Sequence, residues 1–86
     1  MKRRTTFLRL RQRFREVCYW SDRGEVDFVV LRGRVPVPVQ VAWDGPEERH
    51  HRALGAFYEA HPHAGEAVFV TAESFAAGLP GLQPDA

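Results

Sequence analysis

EVDFVVLRGRVPVPVQVAW, residues 25–43, is the stretch on which the fold turns. Valine and aromatic residues recur at every second position on both sides of Arg32-Gly33-Arg34, the pattern of two strands around a tight turn. Glycine tolerates the positive φ that opens a type II′ turn, so Gly33 and Arg34 are the two loop residues. The register follows by counting outward. Arg32 meets Val35, Val30 meets Val37, Phe28 meets Val39 and Val26 meets Val41, which predicts one continuous apolar face. The other face pairs Leu31 with Pro36, Val29 with Pro38, Asp27 with Gln40 and Glu25 with Ala42. Two mid-strand polar residues, Asp27 and Gln40, are therefore expected to be cross-strand neighbours, in a non-hydrogen-bonded pair with Cα atoms about 4.5 Å apart. Pro36 and Pro38 have no N–H to offer on the side away from the preceding strand. The first half of that strand is expected to be an open edge, leaving Val39–Trp43 to pair with a further strand.

The flanking segments complete the order. Phe7, Leu10, Phe14 and Val17 follow helical spacing, which predicts a short helix over Thr5–Glu16 with Thr5 or Thr6 as N-cap. Val17–Ser21 is rich in β-branched and aromatic residues and reads as a strand, with Asp22-Arg23-Gly24 as the turn after it. A second helix is expected from Pro46 to Ala60, with Asp44 or Gly45 near its N-cap and Ala53, Leu54, Phe57 and Tyr58 as its apolar stripe. Ala67–Ala72 is a continuous apolar run, as in a strand covered on both faces. Glu73–Leu79 is read as one or two helical turns, and Pro80–Ala86 as a flexible tail. The predicted fold is α/β, in the order helix-strand-strand-strand-helix-strand. Three strands form an antiparallel meander, and a right-handed crossover returns a fourth parallel to the third. Residues 1–79 form one small domain and 80–86 the tail.

Composition narrows the function classes. With 86 residues the chain holds one domain, and a domain of that size buries only roughly 60% of its unfolded surface. The net charge of +1 argues for no class of partner, but its distribution is uneven. Lys2, Arg3, Arg4, Arg9, Arg11, Arg13 and Arg15 precede the first acidic residue, Glu16. Such a run is either a solvated face or a contact for nucleic acid, and Arg9, Arg11, Arg13 and Arg15 are the candidate contacts. The single cysteine, Cys18, rules out an intramolecular disulfide, fits a reducing cytoplasm and is expected to be a small buried side chain. No apolar stretch has the length of a signal peptide core or a membrane span, so no membrane partner is expected.

The Asp27–Gln40 pair supports two readings. The amide can donate to the carboxylate, which satisfies both groups. Alternatively, oxygen ligands from adjacent strands converge on a divalent cation. Tyr19-Trp20, the short turn, Glu25-Val26-Asp27-Phe28-Val29-Val30, the hairpin and the strand ending at Gln40-Val41-Ala42 together resemble one domain. It is the C-terminal domain that follows the ATPase core in a large family of prokaryotic AAA+ superfamily ATPases. That domain is similar to the PD-(D/E)XK nuclease core, also called restriction-endonuclease-like, and the likeness runs from about Val17 to Thr71.

The resemblance implies that Asp27 takes the place of the metal-binding aspartate, Gln40 that of the second acid, and Ala42 that of the lysine that stabilises charge. Glu25 shares the expected face about 7 Å along the strand and stands at the rim of the site. Glutamine supplies no charge and alanine no ammonium, so the implied site is degenerate and no cofactor is expected. An active nuclease would need Mg²⁺ or Mn²⁺ at Asp27, Gln40 and Glu25. The resemblance also implies a partner: an ATPase-family protein, or a second copy in a homo-oligomer. No Gly-x-x-x-x-Gly-Lys sequence occurs in the chain, so ATP hydrolysis by that route is excluded. Three expectations follow: a non-catalytic interaction module, an active metal-dependent nuclease, or a stand-alone remnant without its own activity. The histidine pairs His50-His51 and His61-x-His63 are read as surface residues rather than metal ligands. Trp43 is read as packing on the second helix or, alternatively, as a base-stacking residue.

Overall fold

Gly33 has a φ of 63° in the computed structural model, which describes residues 2–84. Arg34 is not among the residues with positive φ, as the type II′ turn requires. Around this turn β2 (Glu25–Arg32) and β3 (Val35–Val41) pair antiparallel in the expected register, from Arg32↔Val35 through Val30↔Val37 to Phe28↔Val39. β1 (Val17–Ser21) pairs antiparallel with β2, and β4 (Val68–Val70) pairs parallel with β3 through Val39↔Val68, Gln40↔Phe69 and Val41↔Val70. The sheet order is β1-β2-β3-β4. The chain is therefore an α/β fold with a four-stranded mixed sheet.

The prolines hold off the β4 ladder as expected, but the edge beside them is not open, and Pro38 is fully buried. The Pro36 carbonyl accepts the Gly65 N–H at 2.8 Å, so the outer side of Pro36 faces the segment leading into β4 and not a full strand. The ladder to β4 begins only at Val39.

Helix α1 (Lys2–Arg13) starts earlier than its sequence suggests. Neither threonine caps it. Thr6 is fully buried inside the helix, and its hydroxyl donates back to the Lys2 carbonyl at 2.8 Å. Leu10 and Phe14 from this side join Phe28, Val30, Val37, Val39 and Val70 in the larger core. Helix α2 (Glu48–Ala60) covers the opposite face through Leu54 and Phe57. It begins two residues later than expected, with Glu47 as N-cap. The His50 Nδ1 accepts the Glu47 N–H at 2.8 Å, which fixes the start there.

Two further differences have clear causes. The chain after α3 (Ala72–Ala76) is not loose where it reaches Leu82: Leu79 and Leu82 are buried in the larger core. The Arg13 guanidinium donates to the carbonyls of Gly78 and Leu82, and that of Arg32 to Gly81 and Gln83. The flexible tail expected over residues 80–86 is thus corrected as far as Gln83, and residues 85–86 lie outside the described part. The second difference lies in β2. Cys18 pairs with Val29 but Trp20 pairs with Val26, so two steps along β1 match three along β2. This is a β-bulge at Asp27-Phe28, and it changes the phase of the strand. Phe28 and Val30 pack toward α1, whereas Val26 packs with Leu54 and Phe57 of α2. The single apolar face expected for Val26, Phe28 and Val30 is therefore split.

Candidate functional site

The bulge determines what Asp27 and Gln40 do. Beyond Phe28↔Val39 the hairpin opens, and the two polar side chains fill the gap in place of ladder bonds. The Asp27 N–H donates to Gln40 Oε1 at 3.1 Å. The Val41 N–H donates to Asp27 Oδ2 at 2.7 Å. Gln40 Nε2 donates to the Glu25 carbonyl at 3.0 Å and, at 3.4 Å, to the His50 carbonyl on α2. Each side chain thus bonds the other strand's backbone. The amide-to-carboxylate bond is replaced by three side chain–backbone bonds between the strands, because the bulge turns Asp27 toward α1 while Gln40 faces α2. Gln40 is only 1% exposed, and both its amide oxygen and its amide nitrogen are hydrogen-bonded to protein groups.

Both residues border a cleft of about 270 Å³ at the splayed end of the sheet, with Arg3, Gly24, Glu25, Arg49 and His50. Both of its carboxylates are already engaged. Arg3 Nε lies 3.3 Å from Asp27 Oδ1. The same guanidinium lies over the Tyr19 ring, 5.8 Å from its centroid. The Tyr19 hydroxyl donates to Glu25 Oε1 at 2.5 Å. Asp27, Arg3, Tyr19 and Glu25 therefore form one connected chain of contacts at the outer edge of β1 and β2. Sequence reasoning placed Arg3 in the basic run and Tyr19 in the Tyr19-Trp20 motif but joined neither to this site. Arg3 faces the sheet one helical turn before Phe7, and that spacing was the available signal.

This donor set does not suit a divalent ion. Asp27 Oδ1 meets a guanidinium, Asp27 Oδ2 and Gln40 Oε1 each accept a backbone N–H, and the Glu25 carboxylate holds a phenol. Ala42 is buried, and its N–H donates to the Val70 carbonyl at 2.9 Å, so its methyl lies in the interior. Among the described residues no group of three or more His, Cys, Asp or Glu side chains is placed to hold a metal.

The other expected residues separate. Arg13 is a structural clamp, and the Arg11 guanidinium donates to the Arg15 carbonyl at 2.9 Å. Arg9 lies over Phe75, 4.9 Å from the ring centroid. Arg15 is exposed and borders a second cleft with Phe14, Glu16 and Leu31. His50 is buried, unlike the surface residue expected, because its Nδ1 serves the helix start. His51 rests on Phe69 and His61 on Phe57. Cys18 is exposed, not buried, because it lies on the sheet's outer strand. Trp43 packs against Phe75 and under the Lys2 ammonium, on the side of α1 rather than α2. Burial pushes the Tyr58 hydroxyl up from its usual range, a shift opposed by a backbone hydrogen bond from Ala67 and reinforced by the nearby Glu66 charge. No helix among the described residues is long and apolar enough to cross a membrane. No family model matches the chain, and neither a curated protein nor a solved structure does.

Proposed function

We propose that this protein is a non-catalytic, nuclease-like α/β interaction module whose partner is nucleic acid, contacted through the arginine face of α1. The observation that carries the first half is the exchange of hydrogen bonds at the splayed hairpin. Asp27 and Gln40 are engaged with opposing backbone, where a nuclease needs free oxygens converging on a metal. The resemblance assigns the lysine position to Ala42, whose buried methyl offers no cation.

Support for the second half comes from the outward face of α1. Residues four and seven apart share a helix face, which groups Arg4, Leu8 and Arg11. Arg4, Leu8 and Arg11 are exposed, as is Arg15 just beyond the helix. The helix carries no acidic residue to offset them. A cationic face of this kind binds phosphates by releasing counterions, so its affinity falls steeply with salt.

Two measurements test the reading. Plasmid incubated with the protein and Mg²⁺ or Mn²⁺ is expected to stay intact; metal-dependent cutting that disappears in Asp27→Ala would overturn the non-catalytic half. Filter binding across a salt series is expected to show retention at low salt with a steep slope. No retention at low salt would overturn the other half.

A further inference from the structure

The acidic residues that would serve a metal in a nuclease are tied here to an aromatic ring. Tyr19 is 53% exposed although it lies mid-strand in β1. It is also fixed: Glu25 accepts its hydroxyl, and Arg3 backs its ring while itself held by Asp27. An exposed ring clamped at its edge and on one face has little rotamer freedom left to lose on binding. On α1, Phe7 is 37% exposed and touches Phe28 of β2 with ring centroids 5.9 Å apart. Arg4 and Arg11 share a helix face, with Cα atoms about 10 Å apart at 1.5 Å per residue. Arginines interleaved with open aromatic faces suit unstacked bases on a phosphate backbone. Duplex DNA keeps its bases stacked inside and would leave Tyr19 unused.

We infer that the Tyr19 ring, backed by Arg3 and anchored by Glu25, is a stacking site for a base of single-stranded nucleic acid, with Arg4 and Arg11 on its phosphates. This rests on the interaction reading above and names its substrate class. The aromatic component also separates nucleic acid from an acidic polypeptide, which has charge but no bases.

The test uses fluorescence anisotropy of the intact chain with a labelled short oligothymidylate, a duplex of equal length, and polyglutamate as competitor. The single strand is expected to bind more tightly than the duplex and to resist polyglutamate. Tyr19→Ala is expected to weaken it about tenfold with an unchanged salt slope, and Tyr19→Phe to retain most of the affinity. Arg4→Ala or Arg11→Ala is expected to reduce the slope of log K against log salt by about 0.7. Tyr19 is a surface residue, so its variants report binding without unfolding, and circular dichroism checks this. Binding of both oligonucleotides that is indifferent to Tyr19→Ala, or equal displacement by polyglutamate, would overturn the stacking site. The first of these results would leave the nucleic-acid reading standing. No binding to either oligonucleotide at low salt would overturn both.

Discussion

Replacing Gln40 tests the account of the splayed hairpin most directly. Gln40→Leu conserves shape and removes every polar contact of that side chain. The Asp27 N–H, which donates to Gln40 Oε1, is left without that partner in a part-buried setting, at a cost of about 1–3 kcal/mol. The Glu25 carbonyl loses a donor but belongs to an exposed residue, so water offsets most of that loss. The 3.4 Å contact to the His50 carbonyl is long and contributes little. The leucine returns some apolar burial, and the net expectation is a loss of about 2 kcal/mol. With a urea slope of about 1–2 kcal/mol/M, the midpoint falls by about 1–2 M while the slope itself is unchanged. Gln40→Glu keeps the acceptor for Asp27 but places a buried carboxylate against the Glu25 and His50 carbonyls. It is expected to be the more damaging substitution, with or without Mg²⁺. A stability loss below about 0.5 kcal/mol for the leucine variant would refute the reasoning, because the strands would then close without the glutamine. A Gln40→Glu protein that Mg²⁺ restores to parental stability would do the same by revealing a metal site.

Three other outcomes follow from the same geometry. Gly24 and Gly33 both have positive φ, but a Cβ at Gly24 would lie 3.0 Å from the Ala53 Cα and Cβ on α2, whereas one at Gly33 meets open space. Thermal melts are expected to show Gly24→Ala costing about 2–3 kcal/mol and Gly33→Ala about 1 kcal/mol. Arg13→Ala removes its donor from the Gly78 and Leu82 carbonyls, leaving Gly78 only the Gln83 amide, and is expected to cost about 1–2 kcal/mol, with faster amide exchange and proteolysis after Gly78. Tyr58 donates to the Gly65 carbonyl at 2.7 Å, and its hydroxyl ionises above the usual tyrosine range. The unfolded chain then loses that proton first, so the contribution is complete below about pH 10 and is lost as pH rises through the folded value. Tyr58→Phe is expected to be less stable at neutral pH and to show a shallower alkaline decline in urea titrations.

The hairpin was legible because Gly33 admits one tight turn, and that turn fixes the register by counting. The two prolines likewise announced where β4 could pair. The bulge was not legible. Val26, Phe28 and Val30 alternate without a break, and an inserted residue leaves no mark when apolar side chains are welcome on both faces of the sheet. The consequence fell on the site, where one residue of phase sent Asp27 to α1 and left Gln40 with α2. The anchoring of the chain end was missed for a different reason. Leu79 and Leu82 are only three residues apart in a Pro/Gly-rich segment, and their burial depends on distant donors, Arg13 and Arg32. The Tyr19–Arg3 contact likewise joins a strand to a helix that sequence reading placed a few residues too late.

The order of the sheet gives it two unlike borders. On the far side of β3, prolines and a three-residue β4 limit how another strand could add, and the Gly65 N–H already occupies the Pro36 carbonyl. On the near side β1 is the terminal strand, and Val17–Ser21 contains neither proline nor lysine to deter pairing. Growth of the sheet by a neighbouring molecule is therefore one-directional, and in concentrated solution the strand bearing Tyr19 is the one exposed to it.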